Sequence, residues 1–373
     1  MKILFVWTGV TSYMADCWRR LQQMPGVELK VVVELVESGK EFDREKVLKS
    51  LDTCVVNDWS TDQRINGPTG QEAIALTRQR ANGLTGQEAI AQFLGEWKPD
   101  VMFAVGWHSK VVRAMVGRKD WRDVPKVCCS DMPWRWQLRC FAARFVLGRY
   151  LRQFYGMMVP GKSGYMYARW LGFPKERVFT GEYGIDVGRF RVPSDRSQDK
   201  GGARRFLYLG RFSPEKRLDV LMRAYDRYRE RGGRWELDLY GAGRLPEISI
   251  KYRPNVCSFV QPSEIPGLYA SHACLAMASD FDPWPLVVLE CCASGRPIIV
   301  TDRCTNHYEF VKANGLIVKH GDADAMAAAM LRMEREYRAF RNAAETEGRA
   351  AAANYSCAAW CERIKKVCDG ARK

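Results

Sequence analysis

Histidine is scarce in this chain, with four among 373 residues. None stands at ligand spacing to another. The thirteen cysteines contain no CxxC pair, so the common zinc frameworks have no material here. Cys128-Cys129 and Cys291-Cys292 instead sit inside apolar runs, where thiols act as small core hydrophobes. An odd cysteine count without a framework fits a reducing compartment. Long apolar runs are absent too. None approaches the ~18 residues that span a bilayer. The opening MKILFVWTGV is basic then apolar, but its run is too short for a signal peptide and reads as a first buried strand. The expectation is a cytoplasmic, non-integral protein. Acidic residues are in deficit: 43 against 58 Lys and Arg leave a net charge of +15. Such a balance suits an anionic partner, whether nucleic acid, an acidic membrane face or a phosphorylated substrate.

What is present is strand–helix alternation. Ile3–Trp7, Val27–Leu35, Val101–Val105 and Val124–Cys129 are short apolar or β-branched runs, and a helix is expected around Tyr13–Met24. The polar, turn-rich stretch Arg191–Arg205 reads as a linker. The alternation then restarts with strands at Phe206–Leu209, Trp235–Tyr240 and Ile298–Val300. A helical stripe runs through Leu218, Leu221, Tyr225 and Tyr228. The Ala-rich tail is helical, with a break at Asn354-Tyr355-Ser356. These patterns predict α/β architecture with parallel sheets. The domains expected are 1-190, a linker at 191-203, 204-353, and a terminal helix 354-373. One duplication interrupts the pattern: Asn66–Ala75 and Asn82–Ala91 agree at nine of ten positions. Each copy carries a capping box, Thr69/Glu72 and Thr85/Glu88, so two short helices should begin alike.

Three places carry chemistry. In Gly210-Arg211-Phe212-Ser213-Pro214-Glu215-Lys216 a strand ends at Gly210. Ser213 is a good N-cap and Pro214 a good first helical residue. Arg211 and Lys216 thus flank a strand-to-helix turn at the carboxyl edge of a sheet, a natural diphosphate site, although a solvated basic turn has the same look. In Asp282–Glu290 a helix should start near Pro283–Leu286 and end at Gly295. Glu290 lies among apolar neighbours and needs a partner, either a ligand diol or a cation. Asp282 reads equally as an N-cap or a sugar contact. Were the whole segment helical, the two acids would stand about 12 Å apart. Trp134–Tyr155 has five arginines, seven aromatics and no acid. That composition suits an anionic membrane interface, or a packed helix with snorkelling arginines.

GRFSPEKR, YGAGRL (Tyr240–Leu245), the Asp282–Glu290 segment, ASGRPIIVTD (Ala293–Asp302) and NGLIV (Asn314–Val318) follow one another in order, and Gly161–Asp186 precedes them. This series resembles the family 4 retaining glycosyltransferases of the GT-B fold. The resemblance implies two Rossmann-like domains facing across a cleft, the C-terminal helix packing back on the N-terminal domain. It implies that Arg211 and Lys216 grip a donor diphosphate beside Gly210. Glu290 would hold the nucleotide ribose, and Asp282 a donor sugar. Pro283, Trp284, Leu286 and Val287 would line the donor, the last two through backbone N–H groups. Gly241 and Gly243 would let the backbone approach the nucleotide. On the acceptor side it points to Gly9, Thr11 and Asp131. His108, which follows a strand, reads as a contact to the donor sugar or reacting centre, or as a structural or surface histidine. His307 and Glu309 are weaker donor-side candidates.

The chain departs from the pattern with Asp for Glu at 282, Pro285 for glycine, and Ser130 for histidine before Asp131. The reaction implied is retaining transfer from a UDP- or GDP-sugar to a glycan or lipid-linked acceptor, in cell-surface polysaccharide or glycoconjugate synthesis. It would need no cofactor or metal. A degenerate nucleotide-sugar binder and a GT-B epimerase or inverting transferase are the alternatives. Nucleic-acid binding has no motif behind it.

Overall fold

The computed structural model describes residues 1–9, 11–34, 47–56, 86–192 and 204–372. The first copy of the duplication and the start of the second lie outside these. So does the capping pair Thr69/Glu72, with Thr85 and most of the expected linker. Of the second copy, residues from Gly86 onward enter the helix Gly86–Leu94.

The chain forms two compact units. The first comprises Met1–Pro160, Gly164–Gly184 and Cys357–Lys373, and the second Gly161–Ser163 and Ile185–Ser356. The first holds seven parallel strands: β1 (Lys2–Thr8), β2 (Glu28–Glu34), β3 (Thr53–Val56), β4 (Val101–Val105), β5 (Lys126–Cys129), β6 (Gly156–Val159) and β7 (Val178–Thr180). Their order is β3-β2-β1-β4-β5-β6-β7. The second holds six: β8 (Arg205–Leu209), β9 (Glu236–Tyr240), β10 (Asn255–Cys257), β11 (Cys274–Ala276), β12 (Ile298–Thr301) and β13 (Gly315–Val318), ordered β10-β9-β8-β11-β12-β13. Both orders reverse beside their first strand, and that switch point is where open α/β sheets bind ligands.

The strands form because their residues are apolar on both faces, as a helix-covered parallel sheet demands. Ile3 through Val6 are at most 1 % exposed. Cores of this kind gain about 1.5–3 kcal/mol for each large aliphatic side chain buried. In the second unit, Leu218, Leu221, Tyr225 and Tyr228 lie on the buried face of the helix Leu218–Glu230.

Sequence and structure part at the domain edges. Residues 185–190 lie with the second unit, because Ile185 donates its N–H to the Tyr355 carbonyl. The last helix, Cys357–Ala371, belongs to the first unit. It packs beside the helix Ser12–Gln22, with the Trp360 ring 5.7 Å from Phe5 and its Nε1 donating to the Glu182 carbonyl at 2.7 Å.

Candidate functional site

In the second unit, β8 runs into Gly210, whose N–H donates to the Tyr240 carbonyl. Phe212 donates to Ala242 at 2.7 Å, so the loop after β8 lies directly against the loop after β9. This closeness explains Gly241 and Gly243. A Cβ on Gly241 would meet the Gly210 carbonyl oxygen at 1.9 Å, and one on Gly243, at φ +129°, the Phe212 oxygen at 2.4 Å. The approach these glycines permit here is loop to loop.

The expected helix start at Ser213-Pro214 is a single 3-10 turn, Pro214–Lys216, after which Arg217 takes a left-handed conformation and the helix begins at Leu218. Ser213 does not cap it. Its hydroxyl donates to Glu215 Oε1 at 2.6 Å. The turn is tied down elsewhere: Tyr208 donates its hydroxyl to the Arg211 carbonyl, and Arg217 binds both Asp219 and Asp280. Arg211 itself projects outward. Its side chain is 80 % exposed and touches Glu215 only loosely, at 3.6 Å. Lys216 points inward and lies 2.5 Å from Asp282 Oδ2.

Asp282 is not a helix cap. Its backbone is extended, the N–H donating to the Arg303 carbonyl and its own carbonyl accepting from Thr305. The helix starts four residues later, at Leu286, with Pro285 at the cap position, and ends at Ser294 before left-handed Gly295. The 12 Å helical spacing to Glu290 therefore does not apply. Burial pushes the Asp282 carboxyl up, against the pull of Lys216, the Trp284 N–H and Arg211.

Pro283 gives its carbonyl to the Thr305 hydroxyl. Trp284 is a core residue, its ring packed on Phe310 and Tyr355. Its indole Nε1 is buried and has no hydrogen-bond partner among the described residues. Leu286 and Val287 open the helix, where backbone N–H groups have no partner within it.

Glu290 accepts at 3.0 Å from the Tyr269 hydroxyl, which also donates to the Val287 carbonyl. Burial pushes its carboxyl up to about 7, with Tyr269 and Arg189 pulling the other way. Sequence reasoning missed Tyr269 and Arg189, because neither stands near Glu290 in the chain. Among the described residues, no hydrogen bond or ion pair joins Glu290 to Arg211, Lys216 or Asp282. A cleft of about 560 Å³ opens between the turns, lined by Phe212, Pro214, Leu218, Arg244 and Leu245 among others, and none of the expected donor residues lines it. His307 is buried with Nδ1 on the Cys304 carbonyl, and Glu309 accepts the Lys162 N–H at 2.7 Å.

In the first unit, Gly9 ends β1 at φ +72° and donates its N–H to Glu34. Thr11 precedes the helix Ser12–Gln22 without capping it through its side chain. His108 is exposed after β4, its ring 5.8 Å from Trp107. Asp131 follows β5 and accepts from the Tyr183 hydroxyl at 3.2 Å. Beside it lies Glu182, which the motif reading passed over. It is 1 % exposed, and the backbone N–H of Ser130 pulls its carboxyl down. Burial and the neighbouring Asp131 hold its carboxyl well above the usual range.

No curated protein matches the chain by sequence. Residues 203–336 match the family described as glycosyl transferases group 1. Among solved structures, HepE of Anabaena in complex with UDP is similar at TM-score 0.71 and 14% identity, over 99% of this chain and 100% of that one. The sucrose-phosphate synthase of Thermosynechococcus elongatus is similar at TM-score 0.71 and 15% identity, over 98% of each chain. The lipopolysaccharide outer core galactosyltransferase WaaB is similar at TM-score 0.64 and 14% identity, over 98% of this chain and 99% of that one. The chain thus has the GT-B fold of two Rossmann-like units, and its residues 203–336 match the family described as glycosyl transferases group 1.

Proposed function

We propose that this protein is a retaining glycosyltransferase that moves a sugar from a UDP- or GDP-sugar to a glycan or lipid-linked acceptor, in cell-surface polysaccharide or glycoconjugate synthesis. One observation carries the reading. Inside the family-matched segment, exposed Arg211 and half-buried Lys216 stand on one turn at the carboxyl edge of the sheet, with Asp282 against Lys216. The similar HepE structures hold UDP in one case and UDP-glucose in another, which favours a uridine donor.

In the reaction, the bond from the anomeric carbon to the diphosphate oxygen breaks. The acceptor oxygen bonds to that carbon on the same face, and its proton passes to the departing phosphate. Arg211 and Lys216 stabilise the negative charge that develops there, supplying it from side chains with no metal. Leu286 and Val287 add helix N-terminal N–H groups. Glu290, as a carboxylate, accepts from the ribose hydroxyls. Asp282 leaves Lys216 for the donor sugar, or orients that lysine on the phosphate. Gly9, Thr11, Asp131 and His108 would serve the acceptor from the first unit.

A second reading, a nucleotide-sugar binder without turnover, draws on the same pair, because Lys216 and Asp282 satisfy each other at 2.5 Å. A panel of nucleotide sugars scored for nucleotide release, with the anomeric configuration of the product read by NMR, tests the proposal. Binding without release supports the second reading, and an inverted product sinks the retaining one.

A further inference from the structure

The helix Leu138–Val146 in the first unit is apolar on two faces. Cys140, Ala143 and, just beyond it, Leu147 face the core. Leu138, Ala142 and Phe145 share the opposite face at spacings of four and three residues, with Val146 beside them. Leu138 is 89% exposed, Phe145 81% and Val146 78%. Trp136, at 84%, extends the patch just before the helix, and is braced by Trp134 and Phe141 at 5.9 and 5.7 Å. These are the four most exposed large apolar side chains of the described residues. Four such side chains on one short segment cost solvation unless something covers them.

Charge identifies the cover. Arg139 and Arg144 flank the apolar stripe on either side, and both are exposed, as are Arg149 and Arg152 further on. Residues 134–155 contain no acid, so no carboxylate within the segment neutralises them. A partner protein surface would need an acidic ring around an apolar socket. A bilayer with anionic lipid offers both parts at once, headgroup phosphates above acyl chains. No helix among the described residues is long and apolar enough to cross a membrane, so the contact is one of lying on the surface.

We propose that Trp136, Leu138, Phe145 and Val146 insert into the surface of an anionic bilayer while Arg139, Arg144 and Arg149 bind its phosphates. The inference is independent of the donor reading, since its residues lie in the first unit and its readout is not turnover.

The test is cosedimentation of the full chain with vesicles of phosphatidylcholine, alone or mixed with phosphatidylglycerol. The wild-type protein is expected to pellet with the mixed vesicles and to release as salt rises. The variants L138S/F145S and R139Q/R149Q, whose side chains are exposed, should keep the wild-type melting temperature. Each should lose more than about ten-fold in partitioning, as two lost insertions or two lost cations imply. The proposal is overturned if the wild type stays in the supernatant, or pellets equally with neutral vesicles, or if the variants pellet unchanged. It is also overturned if light scattering finds a dimer that L138S/F145S dissolves, because a second copy would then cover the patch.

Discussion

The Lys216 ammonium lies 2.5 Å from the Asp282 carboxylate, and the two side chains are only 14% and 8% exposed. The pair links the turn after β8 to the extended strand-like segment before the helix Leu286–Ser294. It ties that corner together and, on the proposed function, sets the charge a donor would meet.

Removing the cation should leave a buried, uncompensated carboxylate. Lys216→Ala is expected to lose about 3 kcal/mol of stability at pH near 8. The folded pKa of Asp282 is already raised, so its carboxyl favours the native state most at acid pH and less as pH rises. The deficit of Lys216→Ala should therefore shrink on acidification, and Lys216→Ala/Asp282→Ala should recover much of it. Urea unfolding of the three proteins at acid and alkaline pH reads this directly.

Glu290 should make nucleoside binding pH-dependent. Ribose hydroxyls donate to a carboxylate, so affinity is expected to rise as pH passes through about 7 and Glu290 loses its proton. Binding near that pH should release a proton. Glu290→Gln should bind more weakly, with affinity flat across the range. Calorimetry with a nucleoside, which lacks a titrating phosphate, isolates the effect.

Glu182 should be costly at neutral pH. Burial and Asp131 raise its folded pKa against the pull of the Ser130 N–H, so it stabilises least where the unfolded chain would ionise it. Glu182→Gln is expected to gain more than about 1 kcal/mol at pH near 8 and little at pH near 4. Melting curves at the two pH values decide it.

Gly241 should tolerate no side chain. A Cβ would strike the backbone oxygen of Gly210, so Gly241→Ala forces the two loops apart and should cost about 2–3 kcal/mol. The same displacement should move Arg211 and weaken donor binding. An alanine at Gly232, where nothing lies within 4 Å but φ is +89°, controls for backbone strain without the clash.

The strands were legible because buried parallel strands are short apolar runs, and Ile3–Trp7 or Ile298–Val300 cannot be much else. The helix end at Gly295 was legible because a left-handed cap favours glycine. Asp282 was not. Its extended backbone is held by Arg303 and Thr305, more than twenty residues on, and a local Asp-Pro pattern reads as a cap. Arg217 was missed for a similar reason: its left-handed conformation is held by Asp219 and Asp280 and has no local signal. Glu182 looks like any charged residue until its burial is known. For Leu138–Val146 the helical period was legible but not which apolar face the core would take, since both faces qualify.

On the proposed function, Arg211 and Lys216 carry the donor chemistry. The most direct test is nucleotide release from the preferred nucleotide sugar by the wild type and by Arg211→Ala. Arg211 is exposed, so the variant should stay folded. Its kcat should fall roughly 100-fold or more, as loss of a transition-state charge contact implies. An Arg211→Ala enzyme that keeps wild-type kcat, together with an active Lys216→Ala, would contradict the account.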